Sequence, residues 1–305
     1  MSATTCKENL ISIRDLDRED IITILDEAEN FKKNPPLDLL KGKLLGICFF
    51  EPSTRTRLSF ESAMKRLGGD VIGFTDDKST SLQKGETLHD TIKIVSGYVD
   101  AIVLRHPLMG AAKLAASVTD KPIINAGDGA NEHPTQTLLD LFSIRECQGT
   151  LDSLHVAWMG DLKNGRAVHS LVQASAYFNI RMYFISPPSL ELPEDICREL
   201  KNASVLFSFH QTLEEVIDRL DILYMTRIQK ERMLSSSDVP ASKKGYFLKP
   251  GLLEQAKPNL RILHPLPRVD ELDPSIDKTP HAYYFNQACN GIPVRQAVLK
   301  LLMGE

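Results

Sequence analysis

Residues 43–69 read KLLGICFFEPSTRTRLSFESAMKRLGG. An apolar run, a polar turn and an amphipathic helix follow one another without a break. Phe60, Ala63, Met64 and Leu67 fall at i, i+3, i+4 and i+7, which is one face of a helix. Gly68 and Gly69 stop it. Arg57–Glu61 and Glu61–Lys65 are i,i+4 pairs expected on the outer face. The unit is therefore strand–turn–helix, and the helix starts near Ser53 or Thr54. A helix start presents unbonded backbone N–H groups and the positive end of the dipole. Here it carries three hydroxyls, Ser53, Thr54 and Thr56, and the arginines Arg55 and Arg57. Such a turn is either a plain Ser/Thr cap with solvated arginines or an anion site. It contains no glycine.

Working outward, strand and helix patterns keep alternating. Apolar runs near 43–50, 70–75, 101–105 and 122–125 read as buried strands, with helices near 54–67, 86–98, 108–118 and 133–147 between them. A helix at about 15–33 precedes them and Pro35-Pro36 ends it. After the turn-rich stretch CQGTLDSL, 147–154, a second set follows. Its strands are HVAWMGD, RMYFISP, VLFSF, DILYMTR and RILHPLP, with helices near 164–178, 193–202, 212–220 and 249–257. A last helix is predicted at 291–304, and 229–248 is a long polar insertion. This alternation predicts an α/β protein of two doubly wound parallel-sheet domains, with the substrate cleft between them. Residues 1–148 form the first domain, completed by a C-terminal helix at 288–305 that packs back on it. Residues 149–287 form the second.

Composition narrows the function. With 305 residues and a net charge of −4, the chain has no basic field for nucleic acid. Its five cysteines are scattered and form no CxxC pair, so neither a disulfide framework nor a zinc site is expected. No apolar run is long enough to span a membrane and the N-terminus has no signal core, which places the protein in the cytoplasm. There is no GxxxxGK[ST], HExxH or GxSxG motif, and GDGANE, 127–132, has Glu132 where a dinucleotide fingerprint needs a small residue.

In parallel sheets, ligands bind beyond the carboxyl ends of the strands. Those ends carry Arg105, then His133 and Gln136 around Pro134, then Arg166, then Arg227 and Gln229, then Leu266-Pro267 with Arg268 and Asp270. Each alone is open to a bland reading as a surface cation, a helix cap or, for Arg268–Asp270, a structural ion pair. Arg57 is likewise expected to hold a carboxylate. Several arginines converging on one edge need an acid or an anionic ligand to offset them. With neither metal nor covalent nucleophile in sight, the chemistry suggested is direct group transfer from an activated phosphate ester or anhydride.

Eight stretches, in order, carry a family resemblance: FFEPSTRTRLSFESAMKRLGG, KGETLHDT, RHPLMGAA, NAGDGANEHPTQTLLDLF, GDLKNGRAVHSL, DILYMTRIQKER, HPLPRVDEL and DKTPHAYYFNQACNGIPVRQAVL. They cover about 43–300, and the chain resembles the catalytic chains of the aspartate/ornithine carbamoyltransferase family. The resemblance implies transfer of a carbamoyl group from carbamoyl phosphate to the amine of L-aspartate, giving N-carbamoyl-L-aspartate and phosphate in pyrimidine synthesis, without metal or other cofactor. It implies that Ser53, Thr54, Arg55 and Thr56 hold the phosphate beside Arg105. Thr56, Arg105 and His133 polarise the carbamoyl oxygen, while Gln136 and the carbonyls of Leu266 and Pro267 hold the carbamoyl NH₂. Arg166, Arg227 and Gln229, with Lys84, take the aspartate. Ser81 and Lys84 match a loop that reaches a neighbouring subunit's site, implying a homotrimer with shared sites that a zinc-bearing regulatory chain can join. A cis Leu266–Pro267 bond is also expected.

Two positions depart from the family pattern: Gln83, where relatives carry a second lysine in a loop one residue longer, and Asn164, where an aromatic residue is frequent. The competing readings are an ornithine carbamoyltransferase and a non-catalytic partner of the same fold. HPLPR in place of HCLP disfavours the first, and retention of the principal clamp residues disfavours the second.

Overall fold

Strand β1, Leu44–Phe49, pairs on one side with β2, Asp70–Phe74, and on the other with β3, Ala101–His106, which pairs with β4, Ile123–Asp128. All pairings are parallel. The computed structural model describes residues 8–75, 81–228 and 246–304. The chain divides into two units, Met1–Phe142 with Cys289–Glu305, and Ser143–Ala288.

In the first unit, helices α1, Arg18–Lys33, α2, Thr54–Arg66, α3, Leu88–Val95, α4, Ala111–Ala116, and α5, Pro134–Gln148, alternate with the strands. The strand order β2-β1-β3-β4 reverses between β1 and β3. Their carboxyl ends lie side by side, with Phe49 opposite Arg105. That is the crevice position of a doubly wound sheet, and the EPSTRTR turn leaves from it. The apolar face read on α2 is real: Phe60, Ala63, Met64 and Leu67 are all fully buried.

The second unit has five parallel strands in the order β7-β6-β5-β8-β9. They are β5, Leu154–Met159, β6, Ile180–Ile185, β7, Phe207–His210, β8, Ile222–Met225, and β9, Arg261–Leu263, with α6, Arg166–Ser175, and α7, Glu194–Asn202. The order reverses between β5 and β8, where Met159 stands opposite Met225. Helix α8, Tyr284–Met303, closes the chain, and its residues from Cys289 onward belong to the first unit. The division between units thus falls within α5 and again within α8.

Several elements differ from the sequence reading. Helix α1 begins after Asp17 rather than near Asp15. Ser12 and Asp15 close a separate 3-10 turn by a capping box, and Asp17 and Asp20 form a second box that starts α1. The helix expected at 212–220 is two 3-10 turns, Leu213–Glu215 and Ile217–Arg219. Leu213, Val216, Ile217 and Leu220 have helical spacing and are buried, but the backbone breaks at Val216 (φ −138°, ψ −10°). The segment at 249–257 is likewise 3-10, Pro250–Gln255. Helix α8 starts seven residues before the expected Gly291 and runs through Pro293. The polar insertion at 229–248 lies outside the described residues up to position 245. Among the described residues no helix is long and apolar enough to cross a membrane.

Candidate active site

At the end of β1 the chain passes Glu51 and Pro52 and enters α2 at the N-cap Ser53, whose side chain makes no capping bond. No acidic residue lies in the first turn. Among the described residues the hydroxyls of Ser53 and Thr54 make no hydrogen bond and Arg55 makes no ion pair. Partial desolvation pulls the Arg55 guanidinium below the ordinary arginine value. Thr56 is 7% exposed. The two arginines of the turn therefore differ. Arg57 gives its Nε–H to Glu61 Oε1 at 2.6 Å, as expected of a scaffolding residue. The second expected pair, Glu61–Lys65, does not form: Lys65 binds Asp70 at the start of β2 instead, across the Gly68-Gly69 stop.

Arg105 ends β3. Its Nη2 meets Glu51 Oε1 at 2.6 Å and its Nη1 donates to the Ala126 carbonyl at 3.0 Å. Glu51 went unread in the sequence, although it is the acid that a cluster of arginines requires. Next to it His106, packed on Phe50 at 5.0 Å, has its pKa pushed down by burial against the pull of Glu51 and Asp128.

The loop after β4 is shaped by buried acids. Asp128 accepts from Asn125 Nδ2 at 2.9 Å and from the Gly110 N–H at 2.9 Å. Glu132 accepts from Ser12 Oγ at 2.6 Å and from the Ile13 N–H at 2.7 Å. Burial raises the Glu132 pKa, and those two donors oppose the rise. GDGANE is thus a scaffold that delivers His133 to the start of α5. His133 is 6% exposed, and its carbonyl accepts from the N–H groups of Gln136 at 2.9 Å and Thr137 at 3.2 Å. Gln136 Nε2 donates to Asp140 Oδ1 at 2.8 Å. Ser53, Thr54, Arg55, Thr56, Arg105, His133 and Gln136 all belong to the first unit.

Lys84 is exposed at the end of a 3-10 turn, Ser81–Lys84, and Ser81 opens that turn. A groove of about 670 Å³ between α2 and β2 is lined by Arg57, Glu61 and Lys65 and by neither Arg55 nor Thr56, so it is separate from the phosphate candidates.

In the second unit, Arg166 is the first residue of α6 and is 9% exposed. The turn before it is built on Asp161, fully buried, whose Oδ1 accepts the Asn164 N–H at 2.9 Å while the Asn164 amide reaches both carboxylate oxygens at 3.2 Å. The departure at Asn164 therefore acts on the carboxylate that shapes the approach to Arg166. Arg227 follows β8 and is half-buried, and Gln229 lies outside the described residues.

The Leu266–Pro267 bond is cis, as expected, and Leu266 has φ +55°. His264 organises this turn. Its Nδ1 accepts the Leu266 N–H at 2.8 Å, so the ring proton sits on Nε2, which donates to Glu271 Oε1 at 2.7 Å. Glu271 also accepts the N–H groups of Val269 and Asp270 at 3.2 Å. Desolvation opposes ionisation of Glu271, but the hydrogen bonds from His264 and from the backbone outweigh it and its pKa is lowered. The sequence reading missed both residues; a His and a Glu seven apart across two prolines was the available signal. It also mispaired Arg268, which binds Asp277 through both terminal nitrogens, one at 2.6 Å, and not Asp270. A chain reversal between 270 and 277 brings that carboxylate round.

Among the described residues no cluster of three or more His, Cys, Asp or Glu stands ready for a metal ion. In the first unit an arginine ends β3 and a buried imidazole stands at a helix start; in the second, arginines stand beside β5 and β8 and turn carbonyls are fixed by side chains. Groups of these kinds can stabilise charge and orient a ligand.

Residues 8–146 match the family model described as aspartate/ornithine carbamoyltransferase, carbamoyl-P binding domain, and residues 152–302 match its Asp/Orn binding domain. The chain is 54% identical over 308 residues to the aspartate carbamoyltransferase catalytic subunit of Vibrio campbellii, covering 100% of this chain and 99% of the other. It is 53% identical to that of Chromobacterium violaceum, covering 98% and 99%. The catalytic subunit of M. jannaschii aspartate transcarbamoylase superimposes with a TM-score of 0.90 at 52% identity, over 97% and 98% of the chains. Aspartate transcarbamoylase from Trypanosoma cruzi, in complex with N-(phosphonacetyl)-L-aspartic acid, does so with a TM-score of 0.92 at 37% identity, over 99% and 97%. With both family models matched and full-length relatives above half identity, the chain belongs to the aspartate/ornithine carbamoyltransferase family.

Proposed function

We propose that this protein transfers the carbamoyl group of carbamoyl phosphate to L-aspartate, a step of pyrimidine synthesis. The observation that carries this reading is the first turn of α2. There, among the described residues, an arginine without a carboxylate partner and two unbonded hydroxyls stand at a helix N-terminus, just after Glu51, which anchors Arg105. The first unit is then the carbamoyl-phosphate domain and the second the aspartate domain. The relatives of like length are named for aspartate, which favours it over ornithine as acceptor.

The α-amine of aspartate attacks the carbamoyl carbon, and negative charge grows on the carbonyl oxygen. Thr56, Arg105 and His133 stabilise that oxygen; removing one such donor typically costs about 3–4 kcal/mol of transition-state stabilisation. His133 works as a neutral N–H donor, since a helix N-terminus disfavours a cation. Gln136 and the carbonyls of Leu266 and Pro267 accept from the carbamoyl NH₂. The C–O bond to phosphate then breaks. Ser53, Thr54 and Arg55 hold the departing phosphate, which takes the proton lost by the amine. Arg166, Arg227 and Gln229 bind the two carboxylates of aspartate, with Lys84 beside them.

The active form is a cytoplasmic homotrimer, in which Ser81 and Lys84 complete a neighbour's site and which a zinc-bearing regulatory chain can join. The edge strand β2 supports assembly, since Ile72 on it and Leu58 on α2 are 44% and 53% exposed. The test is product identification. Purified protein should make N-carbamoyl-L-aspartate and phosphate from carbamoyl phosphate and aspartate. Carbamoylation of ornithine without turnover of aspartate overturns the reading. Chains carrying Lys84→Ala and Arg55→Ala, each inactive alone, should regain activity when mixed as hybrids; well-formed hybrids without activity argue against shared sites.

A further inference from the structure

Gln136 and Asp140 stand one turn apart on α5, and the Gln136 amide nitrogen donates to Asp140 Oδ1 at 2.8 Å. An ionised carboxylate only accepts hydrogen bonds. The contact therefore fixes the amide: its NH₂ faces Asp140 and its carbonyl oxygen faces the other way. Asp140 is fully buried. Burial favours the protonated form of a carboxyl, and as an acid it could donate to the Gln136 oxygen and turn the amide round.

The charge of Arg295 on α8, 2% exposed and interacting with Asp140, opposes this. Burial pulls Arg295 down to about 10 and Asp140 pulls it back up, so it remains cationic at neutral pH. Its guanidinium lies over the Phe60 ring at 4.9 Å, and among the described residues its Nε has no hydrogen-bond partner. A buried guanidinium is costly unless a charge offsets it, so packing alone does not explain it. Space is kept for it by Gly291, where a Cβ would fall 2.2 Å from Arg295 Nη1.

We propose that Asp140, backed by Arg295, is a positioning residue that orients the Gln136 carbonyl oxygen toward the carbamoyl NH₂ and so selects an amide over a methyl group on the donor's carbonyl carbon. This rests on the placement of Gln136 proposed above. Acetyl phosphate, which has CH₃ where carbamoyl phosphate has NH₂, separates positioning from general support of the fold.

The experiment measures binding of both compounds to the intact wild-type protein, to Asp140→Asn and to Asp140→Glu. Asp140→Glu keeps the charge opposite Arg295 and displaces the acceptor by one methylene, which covers the case of an Asn variant that does not fold. Carbamoyl phosphate affinity should fall about tenfold, the size of one hydrogen bond, with acetyl phosphate unchanged. Equal weakening of both, or no change in either, overturns the proposal. Wild-type protein that fails to bind carbamoyl phosphate instead overturns the functional reading on which it rests.

Discussion

Arg105 Nη2 meets Glu51 Oε1 at 2.6 Å, joining the carboxyl ends of β3 and β1 where the strand order of the first sheet reverses. Arg105 and Glu51 side chains are only 13% and 24% exposed, so the pair is poorly screened by water. Glu51 thus holds Arg105 in one orientation before any ligand arrives. Glu51→Gln keeps the shape and removes the charge. The KM for carbamoyl phosphate should rise by roughly tenfold, the scale of a lost charge-assisted contact, measured by steady-state kinetics at saturating aspartate. An unchanged KM would show that Arg105 needs no such support.

Stability should fall on mild acidification because of His169 on α6. Its Nε2–H donates to the Leu162 carbonyl at 2.8 Å. Burial pushes its pKa down, against the pull of that carbonyl and of Asp195 and Asp161. Below about pH 6.5 the unfolded chain takes up a proton that the folded chain refuses. Stability is therefore lost as pH falls from that value toward the folded pKa, by at most about 1.4 kcal/mol per pH unit for one group. Melting temperatures of wild type and His169→Gln between pH 8 and 5 check this. The variant should show the shallower decline, and parallel curves would rule His169 out.

Gly160 follows β5 at φ +122°, and a Cβ there would lie 2.1 Å from the Thr226 carbonyl oxygen. Both the backbone angle and the contact exclude a side chain. Gly160→Ala should cost more than about 3 kcal/mol in chemical denaturation. It should also weaken aspartate binding, because Thr226 immediately precedes Arg227. A variant within about 1 kcal/mol of wild type would mean the strand ends can separate freely.

Much of this was legible in the sequence because it is written locally. The α2 stripe of Phe60, Ala63 and Met64, the glycine stop and the Arg57–Glu61 pair are decided within one turn or two. The polar start of α2 was also visible, since its hydroxyls and Arg55 are neighbours in the chain. What escaped depends on partners far apart or on backbone breaks. Glu132 meets Ser12 and Ile13 more than a hundred positions away. Leu213, Val216, Ile217 and Leu220 have the spacing of a helix, yet the Thr212–Glu215 capping box closes after one 3-10 turn. Arg268 was assigned to the nearest acid in sequence, and the fold gave it Asp277. Glu51 was overlooked because its role appears only once β3 brings Arg105 beside it.

The phosphate end of the site is tested most directly by Arg55→Ala. Arg55 is exposed and has no ion pair among the described residues, so removing it leaves no buried charge behind. The kcat/KM for carbamoyl aspartate formation should drop by at least about a hundredfold, with the melting temperature unchanged. Near-normal turnover in a folded Arg55→Ala protein would contradict the assignment of this turn to the phosphate.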